Sequence, residues 1–152
     1  FTIDGDVYTI GSKCKAIVSA YTVVEISDGY VRDDGTVPVC EKVTIKLADD
    51  NGQEFIIVIR NNMNYPIQIE DCTLHEIRIE KDFYHLDTFK VMNAISGNEH
   101  ITKWKIVFGT KYNKRIYDDG VSSYSWEVLP KCWIDICVDK TNEVLSIQMM
   151  TY

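Results

Sequence analysis

The chain has 152 residues, of which 45% are hydrophobic and 26% charged, and its net charge is -7. A chain of that length buries roughly 70% of the surface its unfolded form exposes, so it needs neither metal nor disulfide to hold a core, and its apolar content argues against disorder. The acidity argues against a nucleic-acid partner, which would require clustered Lys and Arg; the densest basic stretch, Lys103, Lys105, Lys111, Lys114 and Arg115, is broken by Trp104, Ile106, Val107 and Phe108.

Phe1, Ile3, Val7 and Ile10 alternate around Asp4-Gly5-Asp6, the pattern of a short hairpin on an Asp-Gly turn. Ser12 then serves as N-cap of a short amphipathic helix over 13–21, with Cys14, Ile17, Val18 and Tyr21 as its apolar stripe. The β-branched run over 22–26 leaves that helix, and 27–38 reads as loop with turns at Asp28-Gly29 and Asp33-Asp34-Gly35. Val43, Ile45 and Leu47 alternate with Thr44 and Lys46 before Asp49-Asp50-Asn51-Gly52 turns the chain into a partner strand over 54–60, the clearest hairpin in the sequence. A turn-rich connection covers 61–66, and Leu74, Ile77 and Ile79 mark a third strand ending at Glu80. Residues 82–97 fit neither period and read as a linker holding one short helix or strand.

Beyond Gly97-Asn98, the spacing of Ile101, Trp104, Val107 and Phe108 predicts a helix over 99–108 that Gly109 stops at C′. A polar loop over 111–120 follows, then strands over 123–128, 132–139 and 144–150, separated by Pro130 and Thr141-Asn142. The fold class is therefore α+β, short helices packed on antiparallel β-sheet. The order helix, strand, strand, strand is read before residue 81 and again after residue 98, which suggests two tandem helix-plus-three-strand units. On that reading, 1–81 is a first helix-meander unit, 82–97 a linker and 98–152 a second helix-meander unit, all in one compact body.

The stretches that carry a family resemblance are Ile101-Thr102-Lys103-Trp104-Lys105-Ile106-Val107-Phe108-Gly109-Thr110-Lys111-Tyr112, Tyr124-Ser125-Trp126, Ile134-Asp135-Ile136-Cys137-Val138-Asp139 and Asn142-Glu143-Val144-Leu145-Ser146-Ile147. They resemble the two-repeat proteins similar to beta-lactamase inhibitor protein, together with the small outer-membrane-assembly lipoproteins that use one such unit. The resemblance covers residues 98–152, and 7–80 by shape; the Gly-Met pair that usually opens the helix in that group is absent. It implies a helix followed by an antiparallel meander, an exported and often lipid-anchored protein, and action by binding other proteins.

No motif for nucleophilic or nucleotide chemistry is present, neither G-x-S-x-G nor G-x-x-x-x-G-K-[ST] nor G-x-G-x-x-G. Metal ligation is not expected, since Cys14, Cys40, Cys72, Cys132 and Cys137 contain no C-x-x-C pair and His75, His85 and His100 are scattered. Buried reduced thiols, one disulfide joining Cys40 to a distant partner, and a reactive Cys all remain open. Cys132 and Cys137 point to opposite faces of a strand and do not pair easily. Asp118 and Asp119 with Asp135 and Asp139 would suit acid and base work or a cation, but Asp118-Asp119-Gly120 is also what a turn wants. His75 reads as a satisfied surface or core histidine. No cofactor and no catalytic residue is expected.

Aromatic placement is the better lead, because Tyr and Trp are enriched where proteins bind proteins. Tyr112, Tyr117, Tyr124 and Trp126 are the candidate protein-binding residues, on an aromatic and acidic sheet surface. Tyr112 and Tyr117 are expected to be exposed before any Trp, with Trp104, Trp126 and Trp133 read as core. The longest apolar run, Phe55-Ile56-Ile57-Val58-Ile59, is far short of a membrane span. A start at Phe1 fits removal of a leader, with a lipid anchor upstream as one form of it. The functional expectation is a non-enzymatic binding domain of an exported bacterial protein, extracellular or at the cell envelope, with a protein partner and no nucleic acid. An acidic cytoplasmic immunity-type or antitoxin-like inhibitor is the alternative, and a carboxylate-based hydrolase stands third.

Overall fold

A computed structural model describes every residue except Asn93. Among the described residues the first elements are β1 (Thr2–Ile3), β2 (Asp6–Val7), α1 (Lys15–Ala20), β3 (Thr22–Asp28), β4 (Thr36–Val37), β5 (Lys42–Ala48), β6 (Glu54–Arg60) and β7 (Ile67–Gln68). A 3-10 turn at Ile69–Asp71 leads into β8 (Thr73–Glu80), followed by β9 (Lys90–Val91), β10 (Ile95–Ser96) and α2 (Ile101–Phe108). The chain closes with β11 (Asn113–Ile116), β12 (Ser122–Leu129), β13 (Cys132–Val138) and β14 (Val144–Thr151). The fold is α+β, antiparallel sheet with short helices packed on it. Tyr8–Ile77 forms one compact unit, and Phe1–Val7 with Arg78–Tyr152 forms another. None of the described helices is long and apolar enough to cross a membrane.

In the unit Tyr8–Ile77 the neighbouring strands run β8, β6, β5, β3. β5 and β6 pair without a break from Lys42↔Arg60 to Ala48↔Glu54. Their turn is tied by Asp49, whose Oδ1 accepts both the Asn51 and Gln53 N–H at 2.8 Å. Strict alternation puts Val43, Ile45, Leu47, Phe55, Ile57 and Ile59 on one buried face, each side chain contributing about 1.5–3 kcal/mol of burial. β3 is followed by Gly29, a position only glycine can fill: φ is +85° and a Cβ there would lie 2.2 Å from the Lys42 carbonyl oxygen.

Helix α1 begins later than its apolar stripe predicts, and Ser12 does not cap it. The Ser12 hydroxyl donates to the Thr9 carbonyl at 2.7 Å, and Cys14, the residue at the cap, makes no side-chain cap bond. The reason is long-range. Lys13 bridges Thr73 in an antiparallel pairing, with Leu74 N–H donating to Ser12 O at 2.8 Å and Cys14 N–H to Cys72 O at 2.9 Å, so the helix does not start until that pairing ends.

In the unit of Phe1–Val7 and Arg78–Tyr152 the strands β11, β12, β13 and β14 lie side by side, antiparallel throughout. The expected polar loop over 111–120 is corrected here, because β11 occupies Asn113–Ile116 and pairs with Ser122–Ser125. All four of its residues are exposed, so an edge strand of this kind shows no hydrophobic alternation to read. The segment 82–97 holds β9 and β10 rather than one element, and β9 pairs with β1 through Thr2↔Lys90. Tyr84 also donates its hydroxyl to the Asp4 carboxylate. Helix α2 is capped by His100, whose Nδ1 accepts the Thr102 N–H at 3.2 Å. It stops at Gly109, whose φ of 84° matches the predicted C-terminal stop.

Candidate functional site

Along β12 and β13 the buried apolar side chains are Tyr124, Trp126, Ile134, Ile136 and Val138. Period two therefore turns Ser123, Ser125 and Glu127 of β12, and Trp133, Asp135 and Cys137 of β13, to the opposite face. Cross-strand pairing sets Ser123 beside Cys137, Ser125 beside Asp135 and Glu127 beside Trp133. β11 adds Arg115 opposite Ser123 and Asn113 opposite Ser125. Asn113, Arg115, Ser123, Ser125, Trp133 and Asp135 line an open groove of about 860 Å³, with Tyr112, Lys114, Tyr117 and Tyr152 completing its walls.

The turn joining β11 to β12 is well tied. Tyr117 N–H donates to Val121 O at 2.9 Å, Gly120 N–H to Tyr117 O at 3.0 Å, and Val121 N–H to Asp119 Oδ1 at 3.0 Å. Tyr117 stands 47% exposed on it. At the far end, Tyr152 N–H donates to Lys131 O at 3.1 Å, anchoring the last residue beside the β12–β13 turn.

Of the four candidate contact residues, Tyr112 and Tyr117 line the groove. Tyr124 and Trp126 do not: they are 3% and 1% exposed, and a buried ring offers no contact area, so they are corrected to the floor beneath it. Tyr112 joins the two layers, its ring centroid 5.3 Å from each of theirs. Lys105 Nζ lies 4.4 Å from the Tyr124 ring centroid and Lys114 Nζ 5.3 Å, while Trp126 Nε1 donates to Gly109 O at 3.0 Å. Trp133, read as core, is only half-buried and lines the groove. Its phase opposite to Ile134 and Ile136 was the available signal. The surface expected to be aromatic and acidic carries Lys114 and Arg115 beside a single acid, Asp135.

Asp139 and Asp34 serve turns. Asp139 Oδ1 accepts from Thr141 N–H at 2.8 Å, Thr141 Oγ1 at 2.6 Å and Glu143 N–H at 3.0 Å, and the Thr141 hydroxyl leads in holding this carboxyl below its ordinary pKa. Asp34 is likewise lowered by Thr36. His75 is buried, with Nε2 2.8 Å from Lys42 Nζ; burial first, then Lys42 and Arg60, push its pKa down. His85 and His100 share a smaller cleft of about 500 Å³ with Asp87 and Glu143, where Lys81 pairs with Glu143 at 3.3 Å.

Among the described residues no group of three or more His, Cys, Asp or Glu could hold a metal ion. Cys14 and Cys72 are fully buried, and burial pushes their thiols up to about 12 and about 11, the opposite of what a nucleophile at neutral pH requires. No family model, curated protein or solved structure matches this chain.

Proposed function

We propose that this chain is a non-enzymatic binding domain of an exported bacterial protein, working at the cell envelope or outside the cell. It contacts another protein through the outer face of β11–β13 and the loops beside it. The observation that carries this reading is the groove itself, in which Tyr117, Trp133 and Tyr152 stand around Arg115, Ser125 and Asp135. Rigid aromatic rings bring large contact area at low entropic cost, and Arg adds directed hydrogen bonds, the composition typical of protein-binding hot spots. The basic lip of Lys114 and Arg115 suits a partner patch that is apolar with carboxylates at its rim. The resemblance of residues 98–152 to two-repeat inhibitor proteins points the same way, and under it the chain holds two helix-meander repeats.

The test is site-specific photocrosslinking in the cells that make the protein. A photoreactive phenylalanine at Tyr117 or Trp133 is expected to give one discrete protein adduct. The adduct should be absent when the probe sits at Asp50, in the exposed β5–β6 turn, and lost when Arg115→Glu reverses the lip. Adducts of equal yield from Asp50 and the groove, or none from the groove, would overturn the reading.

A further inference from the structure

We propose that Cys14 and Cys72 form a disulfide-bonding pair, closed at the expense of a small dialkyl disulfide of the glutathione class. The backbone makes the case first. Lys13 and Thr73 form an antiparallel bridge, flanked by Cys14 N–H donating to Cys72 O at 2.9 Å and Leu74 N–H donating to Ser12 O at 2.8 Å. Those two bonds set Cys14 directly across from Cys72. The two residues share one backbone bond, since the Cys72 N–H donates to Ile69 O at 3.0 Å; facing residues of an antiparallel pairing have Cα atoms about 4.5–5.5 Å apart, within the roughly 4.4–6.8 Å range that a disulfide spans.

The side chains agree. Both are 0% exposed, and both thiols donate to consecutive carbonyls of one short turn, Cys14 Sγ to Ile69 O at 2.8 Å and Cys72 Sγ to Gln68 O at 3.6 Å. Both sulfurs therefore reach the same short turn. At the surface, Lys13 bonds Asp71 at 2.7 Å and Lys15 approaches Glu70 at 3.9 Å, clamping the same two segments in register. Cys40 is exposed, and Cys132 and Cys137 lie out of phase on β13. The expectation that Cys40 would be the bridged residue therefore gives way to a pair far apart in sequence.

The chemistry is a two-electron exchange. One Cys thiolate attacks the external disulfide to make a mixed disulfide and release one thiol; the second Cys thiolate then displaces the other thiol. The protein loses two protons and two electrons, and the external disulfide becomes two thiols. Burial raises both thiol pKa values, so exchange runs while the chain folds or when α1 opens, and is slow once both thiols are covered. The bond encloses about 60 residues, so it restricts the unfolded chain strongly. An oxidising compartment is where such a pair stays closed.

The test uses the full chain carrying Cys40→Ser, Cys132→Ser and Cys137→Ser, refolded with mixed oxidised and reduced glutathione. The expected product has lost two hydrogens by intact mass, yields a Cys14–Cys72 cross-linked peptide without reductant, and melts roughly 5–10 °C above its reduced form. Adding Cys14→Ser should abolish both the mass change and the shift. Wild-type chain oxidised in parallel provides a second route, with the same peptide expected in its map. Folded product retaining both thiols, a cross-linked form that melts lower than the reduced one, or a wild-type map with the bond on another pair would each overturn the proposal.

Discussion

The outer faces of two strand pairs, β5–β6 and β12–β13, are built by the same alternation and do different things. On the first, Lys46 stands between Glu25 at 3.5 Å and Glu54 at 3.4 Å, and Lys42 is spent on His75. On the second, Arg115 and Asp135 face the groove, and among the described residues neither makes an ion pair. Where the central lysine is matched within the sheet the face has less left to offer a partner, although Arg60 Nε on it has no hydrogen-bond partner among the described residues, whereas spare donors, acceptors and rings keep their capacity for one. The cores below differ in the same direction. β5–β6 rests on aliphatic side chains and Phe55, while β12 rests on Trp104 and Phe108, 5.9 Å apart, with Phe108 6.1 Å from Trp126. The contrast teaches that binding capacity lies in which residues alternation leaves outside the core.

The hardest test of that contrast removes the aromatic floor. Trp126→Ala deletes a fully buried ring and its bond to Gly109 O, and is expected to cost roughly 3–5 kcal/mol in guanidinium unfolding. A loss below about 1 kcal/mol would mean that β12 has no covered face and that the two pairs are not comparable.

A smaller effect sharpens the other side. Folded His75 takes its proton at lower pH than the unfolded chain does, because burial first, then Lys42 and Arg60, oppose protonation while Glu76 favours it. The unfolded state therefore protonates first. Stability is full above the ordinary histidine pKa of about 6.5, falls as pH drops through it toward the folded value, and then levels off. Urea midpoints measured from pH 8 down to about pH 5.5 should fall more for the wild type than for His75→Gln. Parallel curves would remove His75 from the self-matched face.

The smallest change is at Lys46. Lys46→Met is expected to cost no more than about 1 kcal/mol at low salt, and less at high salt, because the pairs are solvent-screened. A cost that does not move with salt would show that packing of the stem, and not charge matching, holds this face.

Much of the frame could be read before any coordinates. The pairs β5–β6 and β12–β13 announce themselves by period two between Asp-rich or Pro-marked turns, and α2 by its stripe and Gly109. Ser12 misled because its backbone is engaged by Leu74, a partner sixty residues on by sequence position and invisible to local pattern. β11 escaped because Asn113, Lys114, Arg115 and Ile116 are all exposed and carry no period. In the site, Tyr112 and Tyr117 were legible as aromatic residues near polar turns. Trp133 was missed although its phase opposite to Ile134 and Ile136 carried the signal, since a large ring in a strand is assigned to the core until the covered face is known.

By itself the sequence determined β5, β6, β8, β12, β13 and β14, their turns, α2 and the α+β class, because those follow from side-chain period and turn chemistry within a few residues. Only the tertiary structure decided which face of each strand is covered, where α1 begins, and that Cys14 meets Cys72. These depend on pairing between distant segments, whose free energy comes from surfaces buried against one another and not from any property of a single stretch of chain.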